Sequence, residues 1–348
     1  MNPVVCKPAV VFPEFEVSQD ETVAFISEAF PTSDILPVAL KMVRNTEVIT
    51  RRLSRPLSEI ATRSDFCARN TSYINKARAL AVLAARQAMD NAGIKPSEVH
   101  MVIATSCTGF SMPSLTAMLI NDLALSVNTQ QLPIAQLGCS AGVAAINIAA
   151  NHCRAYKNHN VLVVSAELCS YLYHPDDNLL ASMVSASLFG DAVAATVVRG
   201  VSGRGFAIKK SHSIFLKDTE NYIAYDIRDS GFYFRLDKEV MHSIKKVAPG
   251  IERFIHEHDD SFSGNKFYVV HTGGKRILDE VVNSLGLNET DIEHSRTSLA
   301  LRGNLSSASV MDVLKRTFDG QKISPGQSGV MIAFGPGFTT EMSVGYWV

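Results

Sequence analysis

Charge of one sign, long apolar runs and clustered cysteine are what this sequence lacks. Its 33 basic side chains stand against 34 acidic ones, a net charge of −1. With no basic stripe along the chain, that balance argues against a nucleic-acid partner. No apolar run reaches the roughly 18–20 residues that cross a bilayer, which argues against a membrane span. The opening stretch, MNPVVCKPAVVFPEFEVSQDE, has no charged segment followed by an apolar one, so no secretory signal is visible. A cytoplasmic location is expected. The cysteines (Cys6, Cys67, Cys107, Cys139, Cys153 and Cys169) form no CxxC pair, and no Cys/His cluster has zinc spacing. No metal site is expected, and each thiol is by default free and buried. What is present is a globular composition, 46 % hydrophobic and 19 % charged, which over 348 residues allows one large or two medium folded units.

The order of elements repeats. Residues 76–93 carry apolar side chains at helical spacing and stop at Gly93. The run 101–107, MVIATSC, reads as a buried strand. A second short run, LPIAQLG, leads to Cys139, and residues 140–157 read as a small-residue helix. VLVVSAEL (161–168) and DAVAATVV (191–198) read as strands. The second half offers a helix over 237–257, a strand over 267–271 and a helix over 275–286. A further helix opens at 303–307, and strands follow over 329–334 and 340–347. Offsets agree as well. Thr105 precedes Cys139 by 34 residues and His271 precedes Asn304 by 33; Cys139 to Glu167 is 28 and Asn304 to Gly335 is 31. This is a long-period duplication of an α/β unit. Two halves packed face to face would bring Cys139, His271 and Asn304 near one pseudo-twofold axis. We expect residues 1–210 to carry the nucleophile and 211–348 the histidine and asparagine.

That placement suggests chemistry. Cys139 follows a glycine and opens a helix, whose N-terminus favours a thiolate. Gly138 permits the sharp turn into that helix. His271 can hold the thiolate as an ion pair or relay its proton. Asn304 adds a neutral donor, and the two side chains together make an oxyanion hole.

The motifs QLGCSAG, SLFGDAV, SGFYFRL, HTGG, GNLSS and AFGPG occur in order over nearly the whole chain. In this the chain resembles the type III polyketide synthases, homodimeric chalcone-synthase-like ketosynthases. The resemblance implies the thiolase fold, a duplicated five-layered αβαβα α/β architecture. RNTEV, TSCTGF, MPSLTA, INDLAL and LPIAQLGC make it most similar to the bacterial phloroglucinol synthases, with germicidin-type alkylpyrone synthases close by. The resemblance implies CoA thioesters as substrates, malonyl-CoA and acyl-CoA among them, and no cofactor. Cys139 would carry the acyl chain while His271 and Asn304 stabilise the enolate left when malonyl-CoA loses CO2. Phe189 and Phe234 match the family's gatekeepers. Met112 matches a residue that crosses the dimer interface into the partner's cavity. Glu167, Cys169, Leu172, Tyr225, Ser306, Gly335 and Pro336 match cavity positions. Lys41, Arg44, Lys275 and Arg276 are the cations expected to meet CoA phosphates.

The departures concern the product. The terminal glycine-rich loop begins with Ala333, and Cys169, Leu172 and Tyr225 stand where plant chalcone synthases have Thr, Thr and Gly. Tyr225 should shrink or redirect the pocket. The expected reaction is condensation of malonyl-CoA and cyclisation to phloroglucinol. The alternative is an acyl-CoA-primed alkylpyrone or alkylresorcinol synthase. A ketoacyl-ACP synthase III shares the triad but not SLFGDAV with GFYF. A papain-like protease shares the Cys–His–Asn order but needs a C-G-[SA]-C-[WY] signature that is missing.

Overall fold

The computed structural model describes residues 2–201, 203–258, 266–320 and 323–348. Apolar runs at strand length form two parallel-start units. In the first, Met101–Ser106 pairs in parallel with Gln130–Ala135 and with Asn160–Leu168, which pairs antiparallel with Asp191–Arg199. In the second, Phe267–Val270 pairs in parallel with Ser328–Gly335, which pairs antiparallel with Thr339–Trp347. Each unit ends on a further antiparallel strand: Ala9–Val11 beside Asp191–Arg199, and Phe206–Phe215 beside Thr339–Trp347. The duplication read from spacing is therefore a duplication of pairing. It is incomplete at one edge, because Gln130–Ala135 has no counterpart among the described residues of the second unit. The units are not separate sheets. Val4–Val5 pairs with both Asp191–Arg199 and Phe206–Phe215 and joins them into one ten-stranded sheet. Phe206–Phe215 runs across position 210.

Alternation along the strands makes the layers. Leu162 and Val164 pack outward with the alanine-rich helix Phe66–Ala92, while Val161 and Val163 pack inward. That helix is capped by Asp65, whose carboxylate accepts from Ala68 N, and ended by Gly93 at φ 63°. Inward lie two central helices, Ala141–Ala155 and Ser309–Gly320, in one core with strands of both units. Helices Val240–His258, Lys275–Leu285 and Glu293–Arg302 cover the outer face of the second unit. The central helices touch at their starts. A Cβ on Gly142 would lie 2.1 Å from Ser307 O, so only glycine allows that approach. This crossing puts the Cys139 turn against residues 304–307.

At the far end of helix Ala141–Ala155, three imidazoles meet. Asn160 N donates to His100 Nδ1 at 3.1 Å, His152 Nε2 and His159 Nδ1 share a proton at 2.9 Å, and His100 stacks on His159 at 4.1 Å. Protonating both His152 and His159 breaks the bond between them. Burial and the neighbouring His100 hold His152 and His159 below the ordinary histidine range. The unfolded chain then binds more protons below about pH 6.5, so this stability is present above that pH and lost as it falls. We expect the melting temperature to drop between about pH 7 and 5, and His159→Gln to flatten the slope. An unchanged slope in that variant would remove the cluster as a cause.

Candidate active site

A cavity of about 820 Å³ lies where the central helices start. Cys139 sits in the tight turn Gly138–Ser140 that feeds Ala141–Ala155. Gly138 has φ 53°, and a Cβ there would lie 2.6 Å from Pro336 Cδ. A Cβ on Gly335 would lie 2.4 Å from Ser140 Oγ. The Gly335-Pro336 loop thus presses against the Cys139 turn. Pro336 also lines the cavity; Gly335 does not, and its role is to let the loop come close.

Asn304 follows Gly303 and is held by its backbone to the Phe189 segment: Asn304 N donates to Leu188 O at 2.8 Å and Gly190 N to Asn304 O at 3.0 Å. Its Oδ1 accepts from Ser306 N at 2.8 Å, which leaves the Nδ2 donors for the cavity side. The His271 loop is tied to this one through Thr272 Oγ1, 3.4 Å from Gly303 O. His271 Nδ1 is buried with no partner among the described residues. Cys139, His271 and Asn304 line the one cavity.

Burial pushes the Cys139 thiol up to about 12, while Ser306 Oγ, 3.7 Å from Sγ, and the Asn304 side chain pull against it. Burial pushes His271 down to about 3. A standing thiolate made by the helix N-terminus alone, one of the sequence expectations, is therefore disfavoured. A proton leaving Sγ needs the imidazole to receive it, so that two opposite charges arise together.

The aromatic wall is continuous. Phe189 and Phe234 meet edge to face at 5.4 Å, and Tyr225 meets Phe234 at 5.9 Å. Tyr225, Cys169, Leu172 and Ser306 all line the cavity, as the sequence suggested. Glu167 does not line it. It lies behind, fully buried, and Ser307 Oγ, Thr108 Oγ1, Cys107 N and Cys107 Sγ all point hydrogens at its carboxylate. Burial holds it up at about 7 despite those bonds. Cys107, which sequence reasoning passed over, lies on the wall and connects Glu167 to Ser306 Oγ at 3.5 Å and to Tyr225 OH at 3.8 Å.

Other expected residues stand apart. Lys41 and Arg44 are exposed on helix Leu36–Arg44 and do not line the cavity, whereas Met42, Asn45 and Thr46 beside them do. Met112 is 90 % exposed and is also outside the lining. Lys275 and Arg276 do line the mouth, with Lys238, which sequence reasoning missed. Lys275 Nζ is already paired with Glu47 at 2.7 Å and Asp279 at 3.3 Å. Arg51 was also missed. Fully buried, it donates to Ala186 O, to Phe189 O at 2.8 Å and to Thr22 Oγ1 at 2.7 Å, and its Cδ would lie 3.2 Å from a Cβ on Gly303. One cation therefore pins both the Phe189 end and the loop before Asn304. No group of three or more metal-ligating side chains that could hold an ion occurs among the described residues.

Residues 207–345 match the family described as chalcone and stilbene synthases, C-terminal domain, and residues 41–204 match the FAE1/type III polyketide synthase-like family. The chain is 48 % identical over 345 residues to a phloroglucinol synthase of Pseudomonas fluorescens, covering 99 % of each. It belongs to the type III polyketide synthases. These are acyltransferases, and the fold is theirs. The 1,3,6,8-tetrahydroxynaphthalene synthase structure of Streptomyces coelicolor superposes with a TM-score of 0.96 at 39 % identity, covering 99 % of each chain. Germicidin synthase of the same organism gives 0.93 at 25 %, covering all of both.

Proposed function

We propose that this type III polyketide synthase condenses malonyl-CoA to a triketide and closes it to phloroglucinol. The observation that supports this is the convergence of Cys139, His271 and Asn304 on one aromatic-walled cavity. Cys139 passes its proton to His271 and attacks the thioester carbonyl, and CoA leaves as the thiol with that proton. Malonyl-CoA next loses CO2, and its enolate oxygen takes hydrogen bonds from His271 and Asn304. The enolate carbon attacks the Cys139-bound acyl carbon, and Cys139 leaves. Phe189 and Phe234 desolvate the carboxylate, which favours its departure as CO2. Closure by carbon–carbon bond formation expels the last thiol. At the mouth, Lys238 and Arg276 suit the CoA phosphates, and Lys275 would have to share its carboxylates to join them.

A second reading rests on the size and lining of the cavity. Its lining includes the apolar side chains of Phe25, Leu57, Ile60, Leu180 and Val184. An aliphatic acyl starter would pack against them, giving alkylpyrones or alkylresorcinols. Mass spectrometry of products from malonyl-CoA alone, and with acyl-CoAs of increasing length, separates the two. Phloroglucinol from malonyl-CoA alone is expected; only acyl pyrones would overturn the first reading. Tyr225→Gly is expected to widen starter use with little loss of condensation. The tyrosine ring fills space beside Phe234 but gives nothing to Cys139. An unchanged product profile in Tyr225→Gly would remove Tyr225 from the pocket's shape.

We further propose a homodimer joined at the edge strand Gln130–Ala135. Its alternating exposure supports this, as do the exposed Phe110, Met112 and Val127. Met112 would then reach the partner's cavity. The two halves are proposed to divide ahead of Phe206 rather than at 210, since that keeps the strand Phe206–Phe215 whole.

A further inference from the structure

The hairpin of strands Ile223–Arg228 and Gly231–Leu236 is a two-stranded sheet of its own. Its register pairs Ile223 with Leu236, Tyr225 with Phe234, and Ile227 with Phe232. Paired residues two apart along a strand share a face, and all six line the cavity. The other face carries Ala224, Asp226, Arg228, Tyr233 and Arg235, with Asp226 Oδ1 3.1 Å from Arg235 Nε. One long wall of the cavity is thus a ribbon with few ties of its own. Isolated two-stranded ribbons are marginally stable, so what holds this one decides where the wall stands.

Its base is tied by Asp237 N to Tyr222 O at 2.8 Å. Its turn end is held by two side chains from other elements. His174 Nε2 donates to Phe232 O at 3.0 Å, and its ring stacks on Tyr233 at 3.8 Å. Arg228 lies over the same Tyr233 ring at 4.1 Å. Arg69, from helix Phe66–Ala92, donates to Ser230 O. A Cβ on Gly231, at φ 124°, would lie 2.8 Å from Arg69 Nη2, so the turn is shaped to that guanidinium. His174, which also lines the cavity, is 5 % exposed and Arg69, which does not, 7 %, yet Ile227 on the same ribbon is 77 % exposed while lining the cavity. The cavity therefore nears the surface at the end these two side chains close.

We propose that Arg69 and His174 are positioning residues that fix the turn end of the ribbon and so set the length of chain the cavity accepts. This rests on the polyketide-synthase reading, in which the cavity holds the growing chain. Releasing the turn end lengthens the space beyond Tyr225, away from the mouth. Decarboxylation depends on His271 and Asn304, which belong to other elements.

The test compares wild type with His174→Ala, His174→Gln and Arg69→Met. It measures malonyl-CoA decarboxylation, starter use across an acyl-CoA series, and hydrogen exchange over 223–236. Decarboxylation should stay close to wild type. The ratio of long to short starters should rise by about tenfold or more in His174→Ala and Arg69→Met, the scale on which one methylene discriminates in an apolar pocket. His174→Gln keeps a donor for Phe232 O and should return part of the way. Exchange should quicken in the ribbon. Faster ribbon exchange with an unchanged starter ratio would overturn the proposal. Should His174→Ala fail to fold, the other two variants decide by the same ratio. A wild-type enzyme that did not decarboxylate malonyl-CoA would overturn the underlying reading instead.

Discussion

Cys139→Ala is expected to abolish acyl loading, while Cys107→Ala, Cys153→Ala and Cys169→Ala leave it in place. The contrast is sharp because Cys107, Cys139 and Cys169 share a cavity, so position on the wall does not choose the nucleophile. Electrostatics is expected to. Burial raises all three thiols, and the Glu167 carboxylate raises both Cys107 and Cys139. At Cys107, in direct contact with it, that carboxylate comes next after burial, ahead of the Ser306 and Tyr225 hydroxyls that pull the other way. For Cys169 every contribution raises, with Asp191 next after burial. At Cys139, whose Sγ donates to Ser306 Oγ at 3.7 Å, the Ser306 hydroxyl comes next after burial and with the Asn304 side chain pulls the thiol down, and the residue stands at the start of a fifteen-residue helix. Cys153 lies at the other end of that helix, its Sγ turned to His159 O and Val198 O. Intact-protein mass spectrometry after exposure to acyl-CoA reads the result directly. An acyl adduct on the Cys139→Ala protein, or activity lost by alkylating another cysteine with Cys139 untouched, would sink the assignment.

What could be read before folding followed a pattern. Strands buried on both faces are apolar runs in the sequence, so Asn160–Leu168 and Asp191–Arg199 were visible within a residue or so. The nucleophile's turn was visible because a glycine, a cysteine and a small-residue helix stand together. The ribbon was not resolved as an element, although SGFYFRL marked Phe234. Its apolar face meets a cavity rather than a core, so alternation alone does not announce what it does. Arg51 was invisible for a different reason. A buried arginine reads as a solvated charge until its acceptors are known, and those are carbonyls of residues 186 and 189, far along the chain. Of the four cations expected to meet CoA phosphates, Lys275 and Arg276 line the cavity and Lys41 and Arg44 do not. Lys41 and Arg44 belong to the right helix, but its cavity-facing positions fall to Met42 and its successors Asn45 and Thr46. Helical phase, not nearness in sequence, decides which side chain reaches the mouth.

His271→Ala and Asn304→Ala are each expected to slow malonyl-CoA decarboxylation by roughly 10²–10³-fold, the loss typical of one oxyanion donor. The two should differ elsewhere. In the proposed mechanism Asn304 acts as a donor: its Oδ1 accepts from Ser306 N, which leaves Nδ2 to offer to the enolate oxygen. Asn304→Asp keeps the shape and the Ser306 bond but turns an acceptor toward developing negative charge. It should be at least as damaging as alanine. The same mechanism gives His271 the Cys139 proton, so His271→Ala should slow loading as well as decarboxylation. His271→Gln separates the tasks, because an amide can donate to an enolate but cannot take a proton from a thiol. That variant should keep part of the decarboxylation and lose loading. With no imidazole to hold the proton, its Cys139 should alkylate only at higher pH than in wild type, since burial pushes the thiol up to about 12 against the hydrogen bonds that lower it. The pH profile of iodoacetamide labelling measures this. A profile in His271→Gln that overlays wild type would show that His271 is not the proton's destination, and wild-type decarboxylation in the alanine variants would remove both residues from the oxyanion hole.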